Sequence, residues 1–273
     1  MIFITGANGY LGKSLCLKLK TKGIDFKKLR HEDINLEDLS SVRSSIPSNS
    51  TIVHLAASLP SNSSEYSLEI FNSINFSMVK NIISTNPKKI IFASSMTVYS
   101  RGGINLKEDQ VLNDLEGYPY YKRKSEQFIE ASGTKNTILR FPGLFGGNRK
   151  TGIVYKSAYS LIRDENITFP KSPIIWACLN VEDAAELISK ALEYEPLGIV
   201  NAGTEDVFST SILIEKLAIL LDKKIQYKLP FAPKFSMNLE KLKNTIGLPN
   251  KSFNQRLGEM IEEIQNLNSG NKL

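Results

Sequence analysis

The chain has few of the residues from which metal centres and disulfide frameworks are built. Its 273 residues include only two cysteines. Cys16 falls inside a predicted helix and Cys178 in an apolar run, and this spacing is not that of metal ligands. Cysteines without such spacing are typically reduced and buried. We therefore expect no metal site and no disulfide.

Long apolar runs and blocks of like charge are also missing. No apolar stretch approaches the length that spans a bilayer, and a strand begins with the first residues, so we expect neither a membrane anchor nor a signal peptide. The net charge of +6 comes from dispersed lysines rather than from clusters, which does not favour nucleic-acid binding. The hydrophobic content of 41% is ordinary for a soluble globular protein. A cytoplasmic protein of one large domain, or of one domain with a smaller companion, is the expectation.

What the chain does contain is a glycine-rich turn directly after its first apolar segment. Four apolar residues open a strand, three glycines follow at intervals of three, and a helix is predicted over residues 10–20. Glycines at this spacing let the backbone turn sharply and approach a pyrophosphate, while the first N–H groups of the helix point at the anion. The sequence therefore predicts a dinucleotide site formed by Gly6, Asn8, Gly9, Tyr10, Leu11 and Gly12.

Strands and helices alternate through the first half of the chain. Apolar runs predict strands over residues 24–29, 51–57 and 89–93, and helical spacing predicts helices over residues 36–46 and 66–85. This alternation is typical of an α/β fold with a Rossmann-type, doubly wound parallel sheet. Ligands of such sheets lie at the carboxyl ends of the strands. Here that edge would hold the polar loop 58–64 and three further cofactor-binding candidates, Leu55, Ala56 and Ala57.

A cation stands where the second strand ends. An acidic residue at this position would hydrogen-bond the ribose diol of NAD, whereas Arg30 is suited to the additional phosphate of NADP. Lys27, Lys28 and His31 add positive potential. We therefore favour NADP(H) as the cofactor, with NAD(H) as the alternative if Arg30 only faces solvent. Asp33 and Ile34 follow as cofactor candidates, and Asp33 either contacts the adenine amino group or serves as a turn residue.

A Tyr-x-x-x-Lys arrangement occurs twice at the start of a later helix. Tyr118 and Lys122 fit it, and so do Tyr120 and Lys124, because residues four apart share one helical face. A nearby ammonium favours the phenolate, so that a phenol can exchange a proton near neutral pH. Ser95, after the preceding strand, would hydrogen-bond the same substrate oxygen. Such a set polarises a carbonyl while a hydride moves between a nicotinamide and carbon.

Several stretches together resemble the extended short-chain dehydrogenase/reductase family, also called NAD-dependent epimerases/dehydratases. The order and intervals agree along almost the whole chain. The stretches are residues 5–12, 54–57, 94–99, the Tyr-x-x-x-Lys pair, 138–146, 181–185 and 200–203. The resemblance implies that Ser95, four residues before Tyr99, is catalytic.

The resemblance also bears on the choice between the two Tyr-Lys pairs. In the family, a small residue, a Glu and two apolar residues follow the Lys at fixed intervals. From Lys122 these positions hold Ser125, Glu126, Phe128 and Ile129, whereas the residues after Lys124 do not suit. We therefore assign Tyr118 and Lys122 as catalytic, with Lys122 also binding the cofactor, although Pro119 before Tyr120 favours the other pair.

The substrate side departs from the family pattern. Many nucleotide-sugar members carry an Arg for the diphosphate at the position of Trp176. Cations elsewhere in the predicted lobe offer replacements, and of these we choose Arg149, together with Ser95 and Tyr118, as substrate-binding. The remaining candidates are Lys150, Lys156, Arg163 and Lys171. The expected division is a dinucleotide-binding domain over residues 1–142 and 174–203, and a small C-terminal substrate lobe over residues 143–173 and 204–273.

The resemblance implies an enzyme that acts on a nucleoside diphosphate sugar. The compact lobe resembles the dTDP-4-dehydrorhamnose reductase type and Arg30 the GDP-fucose synthase type, so we expect reduction of a 4-keto-6-deoxyhexose. A C4 epimerase that retains NAD is the first alternative, and an inactive NAD(P)-binding regulatory protein is the second. We expect a small-molecule partner, no nucleic acid and no membrane, and leave a homodimer open.

Overall fold

The fold was obtained as a computed structural model that describes residues 1–58, 68–99, 101–110, 115–167, 169, 174–225 and 231–270, of which 68–72 and 268–270 only as backbone. The strands are β1 Ile2–Thr5, β2 Phe26–Leu29, β3 Thr51–His54, β4 Lys89–Ser95, β5 Gly103–Leu106, β6 Lys135–Phe141, β7 Gly143–Phe145, β8 Cys178–Asn180, β9 Gly198–Asn201 and β10 Phe235–Met237. The helices are α1 Tyr10–Thr21, α2 Leu39–Ser45, α3 Leu68–Ile83, α4 Gly117–Ala131, α5 Gly152–Ile162, α6 Val181–Glu193, α7 Thr210–Leu220, α8 Glu240–Asn244 and α9 Phe253–Gly270.

The centre of the fold is a six-stranded parallel sheet in the order β2-β1-β3-β4-β6-β9. Its inner strands β1, β3 and β4 bury side chains on both faces, as expected for a parallel sheet covered by helices on both sides, whereas the edge strand β2 exposes Lys27 and Lys28. In β1, for example, Ile4 packs on the side of α1 and α6, whereas Phe3 packs on the side of α2, α3 and α4. This arrangement confirms the predicted α/β, Rossmann-type doubly wound fold.

The strand order reverses between β1 and β3. After β1 the chain crosses to β2 on one side, and then returns to β3 on the other side of β1. Diverging crossovers leave a crevice outside the carboxyl ends of these two strands. The glycine turn follows β1 and residues 55–57 follow β3, so both predicted cofactor segments border this crevice.

A smaller lobe is built on a second hydrophobic core. It joins α5, α7 and α9 to two short parallel pairs, β5 with β10 and β7 with β8. Four rings meet edge to face in this core, namely Phe145, Trp176, Phe208 and Phe253. Within residues 174–203, which were expected to return to the main sheet, β9 pairs with β6 of that sheet whereas β8 pairs with β7.

Several element boundaries differ from the predictions for local reasons. The strand predicted over residues 51–57 ends at His54, and the strand predicted to end at residue 93 continues to Ser95. α2 begins at Leu39 rather than at residue 36 because the Asp38 side chain caps it, accepting hydrogen bonds from Ser40 N and Ser41 N. Most of the predicted loop 58–64 and the cation Lys171 lie outside the described residues. Within the described ranges, no helix is long and apolar enough to cross a membrane.

Candidate active site

The glycine turn after β1 is shaped by close approach of the protein's own backbone. Gly6 has a φ of +67°, and a Cβ on it would lie 2.6 Å from Ala56 N. A Cβ on Gly12 would lie 2.1 Å from Gly6 O. Neither position admits another residue without displacing backbone. Both glycines are thus required by the fold before any ligand is considered.

The N-terminus of α1 is open towards an anion. Gly9 is the N-cap and provides no side-chain cap, and the first turn carries no acidic residue. The first N–H groups of a helix have no intrahelical acceptor, so those of Tyr10, Leu11 and Gly12 are available to a phosphate. The residues present therefore fit the pyrophosphate of a dinucleotide. Asn8 is exposed beside this turn.

The loop after β3 is held in place by an asparagine of α3. Asn75 Nδ2 donates to Ser58 O at 2.9 Å, and Ser58 N donates to Asn75 Oδ1 at 2.6 Å. Leu55, Ala56 and Ala57 lie between this clamp and the strand, and Ala56 N also donates to Thr5 Oγ1 at 3.3 Å. The backbone of the predicted cofactor segment is therefore fixed at both ends.

The cation after β2 is engaged by its own neighbours. Arg30 Nε donates to Asp33 Oδ2 at 2.8 Å, its second terminal nitrogen donates to Asp33 Oδ1 at 3.1 Å, and Glu32 pairs with the remaining nitrogen at 2.5 Å. The Arg30 guanidinium thereby lowers the pKa of the Asp33 carboxyl. All three groups are exposed, and Arg30 and Asp33 line a groove together with Lys27 and Lys28. Ile34 is buried with Phe3 and Leu29, so that only its backbone is available to a ligand.

Tyr118 and Lys122 face the carboxyl edge of the sheet. Lys122 is buried, and its Nζ donates to Ala93 O at 2.8 Å and lies 5.7 Å from the centre of the Tyr118 ring. Both side chains line a narrow crevice with His54, Ala56, Asn75 and Phe92. The structure thus brings this pair next to the predicted cofactor segment.

The competing pair lies on another side of the helix. Lys124 Nζ is 4.8 Å from the Phe76 ring of α3 and 5.5 Å from the Tyr120 ring, and Tyr120 is 41% exposed. Neither residue lines the crevice. This geometry favours Tyr118 and Lys122 over Tyr120 and Lys124 for work at the sheet edge.

Ser95 ends β4 and is held by the turn that follows it. Residues Met96–Tyr99 form one 3₁₀ turn, and this turn brings Thr97 back over the strand end. Thr97 donates to Ser95 Oγ twice, from its backbone N at 3.2 Å and from Oγ1 at 3.0 Å. Ser95 is half-buried, so its hydroxyl remains accessible.

A neutral histidine lies beneath the crevice. His54 is fully enclosed, stacks on Phe92 at 5.7 Å between ring centres, and hydrogen-bonds through Nδ1 to Thr5 Oγ1 at 2.7 Å. Burial lowers the pKa of His54 to about 3, and the Lys122 charge contributes to this lowering. The imidazole is therefore uncharged at neutral pH, and Lys122 carries the positive charge here.

A buried polar network anchors α4 to the sheet. Ser94 Oγ donates to Glu126 Oε1 at 2.5 Å, and Glu126 accepts a fork of two hydrogen bonds from Arg140 at 3.0 and 2.8 Å. Arg140 also donates to Tyr99 Oη at 2.6 Å, and Tyr99 in turn donates to Asn201 Oδ1 at 2.8 Å. The side chains of Glu126 and Arg140 are 0% and 1% exposed. Through Glu126, the face of α4 that carries Tyr118 and Lys122 is thus hydrogen-bonded to β4 and β6.

The predicted substrate-binding Arg149 lies against the glycine turn rather than near Tyr118. Its guanidinium stacks over the Tyr10 ring at 5.2 Å and donates to Thr151 Oγ1 at 3.1 Å. Tyr10 Oη donates to Gly146 O at 2.5 Å, and burial raises the pKa of Tyr10 to about 12. This contact joins the start of α1 to the loop that leads into α5. Ser95 and Arg149 are therefore not parts of one cluster.

A large cavity lies along α5 in the lobe. Its volume is about 960 Å³, and its lining includes Ile153, Phe169, the stacked rings of Tyr155 and Tyr159, and two cations, Lys150 and Lys156. Trp176 does not reach a ligand surface, since it is buried in the aromatic core of the lobe. Arg163 is exposed and pairs with Glu165. Of the alternative cations, Lys150 and Lys156 thus line a cavity of ligand size.

The site residues predicted from the sequence did not include Thr97, His54 or Asn75. Their partners are distant in sequence or lie across a turn, so no local pattern singles them out. A polar residue inside an otherwise apolar strand, such as Arg140 in Ile-Leu-Arg-Phe, is the one signal that indicates the buried network.

Comparison with known proteins agrees with this architecture. The sequence profile of the NAD dependent epimerase/dehydratase family matches residues 2–203. A UDP-N-acetyl-alpha-D-glucosaminuronate decarboxylase from Bacillus cytotoxicus is 25% identical over 317 aligned residues, which cover 96% of this chain and 98% of the relative.

Solved structures share the fold at lower identity. A UDP-glucose 4-epimerase from Thermotoga maritima, solved with UDP-glucose, has a TM-score of 0.75 and 21% identity, covering 97% of this chain and 99% of the other. A UDP-glucuronic acid 4-epimerase from Bacillus cereus, solved with NAD, has a TM-score of 0.75 and 20% identity, covering 98% of both chains. Because the profile spans well over half of its residues, the chain belongs to the NAD dependent epimerase/dehydratase family, a family of enzymes of the extended short-chain dehydrogenase/reductase type that includes nucleotide-sugar epimerases and decarboxylases.

Proposed function

We propose that this protein transfers a hydride between a nicotinamide dinucleotide and a sugar carbon of a nucleoside diphosphate sugar, and that its reaction is the reduction of a 4-keto-6-deoxyhexose. The observation that carries the proposal is the position of Tyr118 and Lys122 in one crevice with Ala56, which follows β3 at the edge of the sheet where the strand order reverses. An aromatic hydroxyl and a buried ammonium beside a phosphate-binding turn suit a reaction in which a carbonyl carbon is reduced by hydride while its oxygen gains a proton.

In this proposal each polar group has one task. When bound, the dinucleotide supplies the hydride to the keto carbon. Tyr118 gives its proton to the keto oxygen and regains one from solvent, so that the ketone becomes an alcohol as the reduced cofactor becomes oxidised. Lys122 holds the nicotinamide ribose, and Ser95 donates a hydrogen bond to the same oxygen.

The substrate's nucleotide is assigned to the cavity along α5. Stacked tyrosines suit a base, and the two lysines suit a diphosphate, because an ammonium acts as a point charge for phosphate oxygens. Lys150 and Lys156 thereby take the role of the diphosphate-binding Arg that many family members carry at the position of Trp176. Arg149 remains a candidate contact only if the loop that carries it turns towards the substrate.

The cofactor preference follows from the groove after β2. Three cations, Lys27, Lys28 and Arg30, favour the additional phosphate of NADP(H). Asp33 and Glu32 partly neutralise Arg30, so the phosphate must replace these carboxylates as the partner of the guanidinium. NAD(H), with which structural neighbours were solved, is the alternative.

A C4 epimerase is the second candidate function. It is favoured by the resemblance to solved UDP-sugar 4-epimerases over nearly the whole chain. An epimerase oxidises and then reduces the same carbon, so it retains its cofactor instead of consuming it.

One experiment separates these activities. The purified protein is incubated with NADPH or NADH and dTDP-4-keto-6-deoxyglucose, and separately with UDP-glucose, while nicotinamide absorbance and the sugar products are followed. Consumption of the reduced cofactor with the keto sugar supports the reductase, and conversion of UDP-glucose to its C4 epimer without net consumption supports the epimerase. If dinucleotide binds and neither probe turns over, the enzymatic proposal is wrong.

The catalytic assignment has a matched pair of variants. Tyr118→Phe removes only the hydroxyl at the crevice, and we expect it to lower kcat at least about 100-fold, because general acid–base groups contribute rate factors of about 10² to 10⁴. Tyr120→Phe makes the same change on the side of the helix that faces α3, and it should retain near wild-type turnover. The reverse result would transfer the role to Tyr120 and Lys124.

A further inference from the structure

The two hydroxyls at the end of β4 and in the following turn form a direct pair. Thr97 Oγ1 donates to Ser95 Oγ at 3.0 Å, and Thr97 N donates to the same oxygen at 3.2 Å. A serine hydroxyl has two acceptor lone pairs and one hydrogen. Both lone pairs of Ser95 are therefore used by Thr97, and the hydroxyl hydrogen is the part that remains for another partner.

The neighbouring serine has the opposite orientation. Ser94 is buried and its hydroxyl donates to Glu126 Oε1 at 2.5 Å, so it takes part in the network that anchors α4. Ser95 is half-buried at the carboxyl edge of the sheet. The two adjacent hydroxyls thus have different tasks, since one is fixed inwards by a carboxylate and the other is held at the edge by a threonine.

We propose that Thr97 is a positioning residue that orients the Ser95 hydroxyl so that it donates to the reacting sugar oxygen. This inference rests on the proposed function and names a residue that acts through Ser95. Without the Thr97 hydroxyl, the Ser95 hydrogen can rotate, and a backbone N–H alone does not fill both lone pairs. A preorganised donor stabilises negative charge that develops on an oxygen, whereas a rotating one must first be ordered.

A purely structural role for Thr97 predicts different behaviour. The 3₁₀ turn is already closed by the backbone N–H of Thr97, because that bond caps the turn as in other serine-capped turns. Thr97→Val keeps this N–H and nearly the same volume and removes only the hydroxyl. A structural role would therefore change the melting temperature, whereas a positioning role changes turnover.

The test is a double-mutant cycle on turnover with the two probes, dTDP-4-keto-6-deoxyglucose with NADPH or NADH, and UDP-glucose. Thr97→Val should lower kcat about 3- to 10-fold, the factor that corresponds to one net hydrogen bond, and change KM less than about twofold. Thr97→Ser retains the hydroxyl and should restore most of the rate. In the Ser95→Ala background, Thr97→Val should cause no further loss, because the group through which Thr97 acts is absent.

Thr85→Val is the matched control. Thr85 is buried at the end of α3, and its hydroxyl donates to Ile82 O at 2.8 Å, away from the crevice, so this variant should retain wild-type kcat. If the wild-type protein turns over neither probe, the proposed function is overturned and this inference falls with it. If the wild type is active and Thr97→Val is as fast, or if the losses from Ser95→Ala and Thr97→Val multiply, Thr97 does not act through Ser95 and the inference alone is overturned.

Discussion

Whether a side chain at the sheet edge is charged depends on how deeply it is buried and on its partners. His54 and Lys122 line the same crevice, yet His54 is enclosed and neutral while Lys122 stays in contact with the Ala93 carbonyl and the Phe92 ring. Burial penalises a charge unless a partner compensates for it. The neutral His54 therefore adds no second positive charge to the crevice beside Lys122.

The buried His54 predicts an acid-dependent loss of stability. Its folded-state pKa of about 3 lies below the ordinary histidine value of 6.5, so between these two values the unfolded chain binds a proton that the folded chain excludes. The free energy of unfolding should therefore fall as the pH decreases from 6.5 towards 3, by up to about 1.4 kcal/mol per pH unit from this group. Urea unfolding of wild type and His54→Gln at several pH values measures the slope, and the slope should be smaller in the variant. The exposed His31, replaced by Gln, is the control, and equal slopes for His54→Gln and wild type would contradict the prediction.

The exposed Arg30 predicts cofactor preference. Arg30→Asp should lower kcat/KM for NADPH relative to NADH by about 10- to 100-fold, because it replaces a charge-assisted hydrogen bond to the 2′-phosphate with a repulsive carboxylate. Arg43→Asp, on the exposed side of α2, makes the same change of charge elsewhere and should leave the ratio unchanged. An unchanged ratio in Arg30→Asp would eliminate the 2′-phosphate contact.

At the scale of elements, the position of α4 depends on a buried ion pair. The Glu126 carboxylate accepts hydrogen bonds from Ser94 of β4, from Arg140 of β6 and from Arg123 of α4 itself. It lies one turn after Lys122 on the same helical face. Although burial alone would lower it, the pKa of Arg140 is raised because Glu126 and Tyr99 bind its charged form. The contact between Arg140 and Glu126 thereby links α4 to the central strands.

Removing one partner of this pair should be costly. Glu126→Gln leaves the Arg140 charge uncompensated in the core, and we expect the free energy of unfolding to fall by about 3–5 kcal/mol. The double variant Glu126→Leu/Arg140→Met should recover part of this loss, since no buried charge remains. Chemical denaturation measures both, with Glu130→Gln, on the exposed side of the same helix, as the control. A loss no larger than that of Glu130→Gln would show that α4 is held by apolar packing alone.

At the scale of the whole molecule, α9 joins the lobe to α6, which packs on the central sheet. Arg256 Nε donates to Asp183 Oδ2 at 2.9 Å and a terminal nitrogen donates to Asp183 Oδ1 at 2.5 Å, at the start of α6. Glu182 and Glu259 accept from the remaining nitrogen. The pair is 10% and 6% exposed, so the two parts are joined by a nearly dry ionic contact.

This contact predicts how the lobe responds to substitution. Arg256→Met should lower the free energy of unfolding by about 3 kcal/mol, because it leaves Asp183 buried without a partner. Lys251→Met removes an exposed ion pair with Glu259 in the same region and should cost less than about 1 kcal/mol. Thermal unfolding measures both variants, and equal shifts in melting temperature would mean that the Arg256 contact adds no more than a surface pair.

The amino-acid sequence was sufficient to predict the parallel sheet, the glycine turn and the family. These depend on patterns that a short window contains: apolar runs for buried strands, three glycines between a strand and a helix, and motifs at fixed intervals. The substrate, the cofactor preference and the catalytic roles remain proposals. The choice between Tyr118 and Tyr120 drew on the residues that follow each Lys, but only packing places one pair at the crevice and the other against α3.

Tertiary structure alone decided the contacts that join distant residues. No local pattern links Thr5 to His54, Asn75 to Ser58 or Arg149 to Tyr10, because each pair meets only after parallel strands bring their ends to one edge. Boundaries such as the end of β3 at His54 also depend on which backbone groups find partners in neighbouring strands. Local chemistry thus determines which elements form, whereas the free energy of burying and pairing their side chains determines which residues share a site.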